Sequence, residues 1–79
     1  MKLEILTPDK KLFEGNVNSV SVPGTKGAFT ILHNHAPIIS TLNKGNIKIV
    51  IDNSKTENIS IEGGIIEVKK NIIIVLADL

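Results

Sequence analysis

Apolar and polar residues alternate with a period of two along most of this chain, in short runs divided by turn-forming residues. Residues 2–6 alternate weakly, with Leu3 and Ile5 on one face. Residues 12–14 begin a second run, which Gly15-Asn16 is expected to break or bulge. Val20 and Val22 share a face within 17–22, as do Phe29 and Ile31 within 28–32. Residues 38–42 form a short run after the corner His33-Asn34-His35-Ala36-Pro37. The cleanest alternation is 46–52, where Ile47, Ile49 and Ile51 oppose Lys48, Val50 and Asp52. A slip of one residue there would bury Lys48 and Asp52, so the register is firmly set. Ile59 and Ile61 point inward in 58–62, and 65–68 with 72–76 close as a hairpin over Lys69-Lys70-Asn71.

Turn signals fall between these runs: Pro8-Asp9-Lys10-Lys11, Pro23-Gly24 with Gly27, Asn43-Lys44-Gly45, a loop at 53–56, and a break at Gly63-Gly64. No stretch carries helical periodicity. The pattern predicts one all-β domain over residues 1–79, a two-sheet β-sandwich of about ten short strands, antiparallel or mixed, roughly five to a sheet. The run 72–76 is apolar on both strand faces. In a two-layer sandwich few strands are covered on both sides, so one face of this run is expected to lie under a partner.

Composition sharpens this reading. Ile and Val supply 20 of the 79 residues, against two aromatics, Phe13 and Phe29. Side chains branched at Cβ suit a pleated surface, and they must fill the core, because there is no cysteine to cross-link it. The net charge of +1 is too balanced for a general grip on nucleic acid or anionic lipid, and all nine cations are lysine. Without arginine, bidentate phosphate recognition has no obvious carrier. The longest apolar run, 72–77, is far short of the ~20 residues of a membrane-spanning helix, and the amino-terminal residues do not resemble a signal peptide. A soluble cytoplasmic protein is the expectation, free to dock on a membrane complex but with no direct membrane insertion.

Candidate chemistry is sparse. No acid lies between Glu14 and Asp52. His33 and His35 would face one side of a strand, but a zinc site needs three or four ligands and none lies nearby in sequence. The glycine loop lacks the G-x-x-x-x-G-K-[ST] pattern of a phosphate cradle. Asp9, Glu14, Asp52, Glu57 and Glu62 fall at turns or outward positions, as solvated carboxylates do. Neither a catalytic group nor a cofactor site is expected.

The stretch 20–42, VSVPGTKGAFTILHNHAPIISTL, is the most distinctive. With Leu3-Glu4-Ile5-Leu6-Thr7-Pro8, Leu12-Phe13-Glu14-Gly15, Leu42-Asn43-Lys44-Gly45, Glu62-Gly63-Gly64-Ile65-Ile66-Glu67-Val68 and Val75-Leu76-Ala77-Asp78, it resembles the amino-terminal sandwich domain of F-type ATP synthase epsilon subunits. The resemblance implies a non-catalytic central-stalk rotor component that binds the gamma subunit and touches the loops of the c-ring. Such a component couples proton-driven rotation to ATP synthesis, as a peripheral part of the complex at the cytoplasmic face of a bacterial plasma membrane. By the same resemblance, Thr7, His35, Pro37, Ser40 and Leu42 form the gamma-facing surface. Gly24, Thr25, Lys26, Gly27 and Ala28 form the c-ring-facing loop, where some relatives carry an acid in place of Ala28. Many family members continue beyond the Ala-Asp ending into a helical hairpin that inhibits ATP hydrolysis and in some binds ATP. Here the chain stops at Leu79, so those functions are not carried over; a naturally short subunit and a chain cut at the domain boundary both match this ending. His33-Asn34 replaces a small turn often built with Pro-Gly, and Asn34 is suited to the left-handed backbone needed there. A stand-alone β-sandwich module for ligand binding or adhesion is the alternative, disfavoured by the lack of aromatics for stacking; a small enzyme is a third.

Overall fold

The computed structural model describes all residues, 1–79, and consists of strands and turns without a helix. The strands are β1 (Lys2–Leu6), β2 (Lys11–Asn16), β3 (Ser19–Val22), β4 (Phe29–Ile31), β5 (Ile38–Leu42), β6 (Gly45–Asp52), β7 (Lys55–Ile61), β8 (Gly63–Lys69) and β9 (Ile72–Asp78). They form a five-stranded sheet in the order β2-β1-β9-β8-β5 and a four-stranded sheet in the order β4-β3-β6-β7. Nine strands stand where about ten were expected, and the larger sheet is mixed. β1 runs parallel to β9, and the other neighbours are antiparallel.

The inner faces hold the alternating aliphatics. Leu3, Ile5, Leu42, Ile66, Val68, Ile73, Val75 and Ala77 of the larger sheet meet Val20, Val22, Ile31, Ile47, Ile49 and Ile61 of the smaller one. No charged or polar side chain is buried among them. The firm register expected for β6 holds at Ile47 and Ile49, both fully buried, and loosens at a bulge between Val50 and Asp52 that leaves Ile51 half-buried.

Two boundaries differ from the sequence pattern. Gly15 and Asn16 do not break β2; they pair with Leu3 and Lys2, and the break comes after Asn16. The loop expected at 53–56 is only Asn53-Ser54. The Asp52 carboxylate accepts hydrogen bonds from the Ser54 backbone N–H (2.8 Å) and hydroxyl (2.9 Å), closing the turn and freeing Lys55 and Thr56 for β7. The β8–β9 turn uses Lys70 and Asn71, both left-handed (φ 52° and 60°), the backbone signature of a type I′ hairpin turn.

Gly64 fixes how closely β8 approaches β9. A Cβ there would run into the carbonyl oxygen of Leu76 and lie 3.2 Å from the Ala77 Cα. Both are backbone atoms that cannot rotate away. Gly64→Ala is expected to lower stability by about 1–3 kcal/mol in urea unfolding, the usual cost of overpacking. An unchanged midpoint would contradict the close approach.

On the outer side of β1 and β2, the Lys11 ammonium lies 2.8 Å from Glu14 and 3.7 Å from Glu4. The hydrogen bond from Lys11 holds the Glu14 carboxyl below its ordinary range, and the bond to Glu14 pushes Lys11 up. The Ser54 N–H lowers Asp52 in the same way. Both carboxylates have depressed folded-state values. Their contribution is therefore present above the unfolded carboxylate range, about pH 4, and lost as pH falls through the folded values; that of Lys11 is lost only as pH rises above about 10. The urea midpoint is expected to fall between about pH 5 and pH 2, and to fall less steeply in the Glu14→Gln, Asp52→Asn double variant. An equal slope in the two proteins would contradict this.

Candidate docking site

Strand register places the outer side chains of the larger sheet in rows. One row reads Leu6, Leu76, Ile65 and Thr41 across β1, β9, β8 and β5. The next reads Glu4, Ile74, Glu67 and Ile39, and the third Lys2, Ile72 and Lys69. β9 is the middle strand of five, so its Ile72, Ile74 and Leu76 run down the centre of this face. Ile39 (72% exposed), Leu76 (54%), Ile65 (46%) and Ile72 (46%) are left open to solvent. The apolar centre is bordered by charge: Lys2, Glu4, Lys11 and Glu14 on one side, Glu67 and Lys69 between the exposed isoleucines of the other.

Thr7 sits at one end of this face. Its backbone N–H donates to Lys10 O at 2.8 Å, and its hydroxyl closes the same turn. It borders a shallow depression with Leu6, Pro8, Ile65 and Leu76. Pro37 lies at another border, beside Ile39, Glu67 and Lys69. The other expected gamma-facing residues are placed differently. Leu42 is 5% exposed and belongs to the core, so its side chain is not available to a partner. Ser40 pairs with the buried Ile66 and shares its inward-facing side, half-buried at the edge of the sheet. On β5 it is Ile39 and Thr41 that face outward. The one-residue difference is the period-two alternation itself.

The glycine loop is held on a short framework. Gly27 N donates to Gly24 O at 3.0 Å, closing a turn with Thr25 and Lys26 at its tip, and Gly27 is left-handed (φ 128°). Gly24 is buried; a Cβ there would come within 2.7 Å of the Phe29 ring. Thr25 N donates to Thr41 O at 3.0 Å, and the two threonine hydroxyls are 2.8 Å apart. The loop and β5 are therefore one continuous structure rather than two separate surfaces. Between them lies an open groove of about 640 Å³, lined by Lys26, Ala28, Phe29, Ile38 and Ile39 among others.

The histidine corner is pinned to the far hairpin. Asn34 (φ 63°) donates its backbone N–H to Asn71 Oδ1 at 2.7 Å, and Asn71 Nδ2 donates to Asn34 Oδ1 at 2.8 Å. The left-handed conformation expected of Asn34 is present. It also interrupts the extended backbone that would set His33 and His35 on one side. His35 Nδ1 lies 2.7 Å from its neighbour's carbonyl, Ala36 O. No group of three or more His, Asp or Glu side chains is arranged to hold a metal ion.

Sequence reasoning anticipated an uncovered face on β9 but missed Ile39, Ile65 and Thr41. The signal for them was adjacency: Ile38-Ile39 and Ile65-Ile66 are apolar pairs, and in a strand one member of each must face out.

Comparison with known proteins covers the full chain. The family model described as ATP synthase, Delta/Epsilon chain, beta-sandwich domain matches residues 1–79. The ATP synthase epsilon chain of Leptospira borgpetersenii serovar Hardjo-bovis (strain JB197) is 45% identical over 78 residues, 99% of this chain and 61% of that protein. The ATP synthase epsilon chain of Chlorobium limicola is 39% identical over 77 residues, covering 98% of this chain and 88% of the relative. The chain thus spans less than two thirds of the length of the Leptospira relative. In solved structures, the fold is similar to a chain of the Euglena gracilis mitochondrial ATP synthase, OSCP/F1/c-ring (TM-score 0.88, 17% identity, 95% of this chain and 48% of that one). It is also similar to a chain of the Tetrahymena thermophila mitochondrial ATP synthase central stalk/c-ring (TM-score 0.84, 14% identity, 99% and 63%). This chain belongs to the ATP synthase delta/epsilon-chain β-sandwich family.

Proposed function

We propose that this member of the family is a non-catalytic rotor component of a proton-translocating ATP synthase. It docks on the gamma subunit through the outer face of its larger sheet and meets the c-ring through the loop of Gly24, Thr25, Lys26, Gly27 and Ala28. Held at both places, it couples rotation of the ring to the stalk that drives ATP synthesis. Its place is peripheral, at the cytoplasmic face of the bacterial membrane that carries the complex. The observation that carries the reading is the open apolar centre formed by Ile65, Ile72 and Leu76 with the half-buried Ile74 among them. A contiguous patch of this kind on a small domain marks a surface that another protein covers. Covering these half-exposed aliphatic side chains removes apolar surface from water at about 25 cal/mol per Å², and the charged border suits a polar rim. The relatives' names and the assemblies that hold the similar structures support the same partners.

The loop is suited to a different contact. Lys26 stands at its tip, and its two glycines and Pro23 keep it low and tightly turned. The only charge it offers is positive, which favours acidic or polar loops on the ring.

The purified chain is expected to form a stoichiometric complex with its cognate gamma subunit. Leu76→Glu, at the middle of the face, should weaken that complex at least tenfold by calorimetry. Its unfolding midpoint should stay near that of the parent, because the side chain is outside the core. Undiminished affinity with Glu at position 76 would move the docking surface elsewhere.

A further inference from the structure

The four sheet edges are not alike. β2 and β7 carry charged residues: Lys11 and Glu14 on one, Lys55 and Glu57 on the other. β4 is cut to three residues. These are the usual ways of making an edge unattractive to another strand. β5 has neither protection: it is five residues, Ile-Ile-Ser-Thr-Leu, without a charge.

Half of the β5 edge is already used. Thr41 O accepts from Thr25 N, and Asn43 N donates to Pro23 O at 2.7 Å, so the glycine loop lies along it like a short added strand. In an antiparallel ladder the N–H and C=O of one residue point to the same side, and residues two apart repeat. Thr41 faces the loop, so Ile39 faces the same way. The Thr41 N–H, the Ile39 N–H and the Ile39 C=O have no partner within the chain. Pro37, in the same phase, has no N–H, which limits the open edge to residues 38–41. Beside it runs the groove between β5 and the loop, walled by Ala28, Phe29, Ile38 and Ile39. Lys26 is the only charged residue lining it, and no acid occurs anywhere between Glu14 and Asp52.

We infer that β5 is extended by one more strand, an extended segment of about three residues contributed by the gamma subunit. It bonds to the backbone of Ile39 and Thr41, whose side chains end two rows of the face on which gamma docks, and sets an apolar side chain in the groove. The inference rests on the docking reading above and deepens it: one part of the interface is backbone pairing, not side-chain burial.

Amide hydrogen exchange on the labelled chain, free and with cognate gamma, tests it. Exchange at Ile39 and Thr41 should slow at least tenfold in the complex. Ile39→Pro removes an outward N–H that bonds nothing inside the chain; it should lose at least tenfold in affinity, and Ile39→Ala, which keeps the amide, should lose less. If gamma binds while the Ile39 and Thr41 amides exchange as in the free chain, the added strand is wrong and the docking reading stands. If gamma does not bind at all, both fall. Should Ile39→Pro fail to fold, the exchange result on the parent chain decides.

Discussion

The parallel pairing of β1 with β9 is the constraint from which the rest follows. It brings residues 2–6 beside residues 72–76 and makes β9 the middle strand of the larger sheet. A strand in that position has neighbours on both sides, so its outer residues lie at the centre of a face rather than at a rim. Three of those residues, Ile72, Ile74 and Leu76, are apolar. Had β9 been an edge strand, the same sequence would have produced a narrow apolar margin. As the middle strand it produces a broad patch with charge around it.

The core explains why that patch stays open. Fifteen buried aliphatic residues meet between two sheets with no buried polar side chain to satisfy. Inner positions are fully occupied by the alternating set, and register cannot change without exposing all of them. The isoleucines of the outer face therefore have nowhere within the domain to go. The same rigidity holds the glycine loop: Gly24 sits under Phe29, Thr25 is tied to Thr41, and the histidine corner is tied to the β8–β9 turn through Asn34 and Asn71. These ties join the two candidate contact regions through β5.

Much of this was legible in the sequence. Alternation alone placed Leu3, Ile5, Val20, Val22, Ile31, Ile47, Ile49 and Ile61 on inner faces, because period two has one solution once a core must form. Asn34 was readable as a left-handed residue from its chemistry. What alternation cannot supply is strand order, which depends on contacts between distant residues. The centrality of β9, and with it the meaning of Ile72-Ile73-Ile74, appears only when β1 is seen beside it. The phase of β5 was not legible either: pairing with Ile66 and Gly64 turns Ser40 and Leu42, which the family resemblance assigns to the gamma-facing surface, inward and leaves Ile39 and Thr41 outside.

The proposed docking on gamma rests on the uncovered apolar face of the larger sheet. Methyl-selective NMR on the labelled chain, titrated with its cognate gamma subunit, tests that most directly. The Ile39, Ile65, Ile72 and Leu76 methyls should shift or broaden together, while the buried Ile47, Ile49 and Ile61 of the opposite sheet stay unperturbed. Perturbations centred on the exposed side of β6 and β7, with the β9 methyls unmoved, would contradict it.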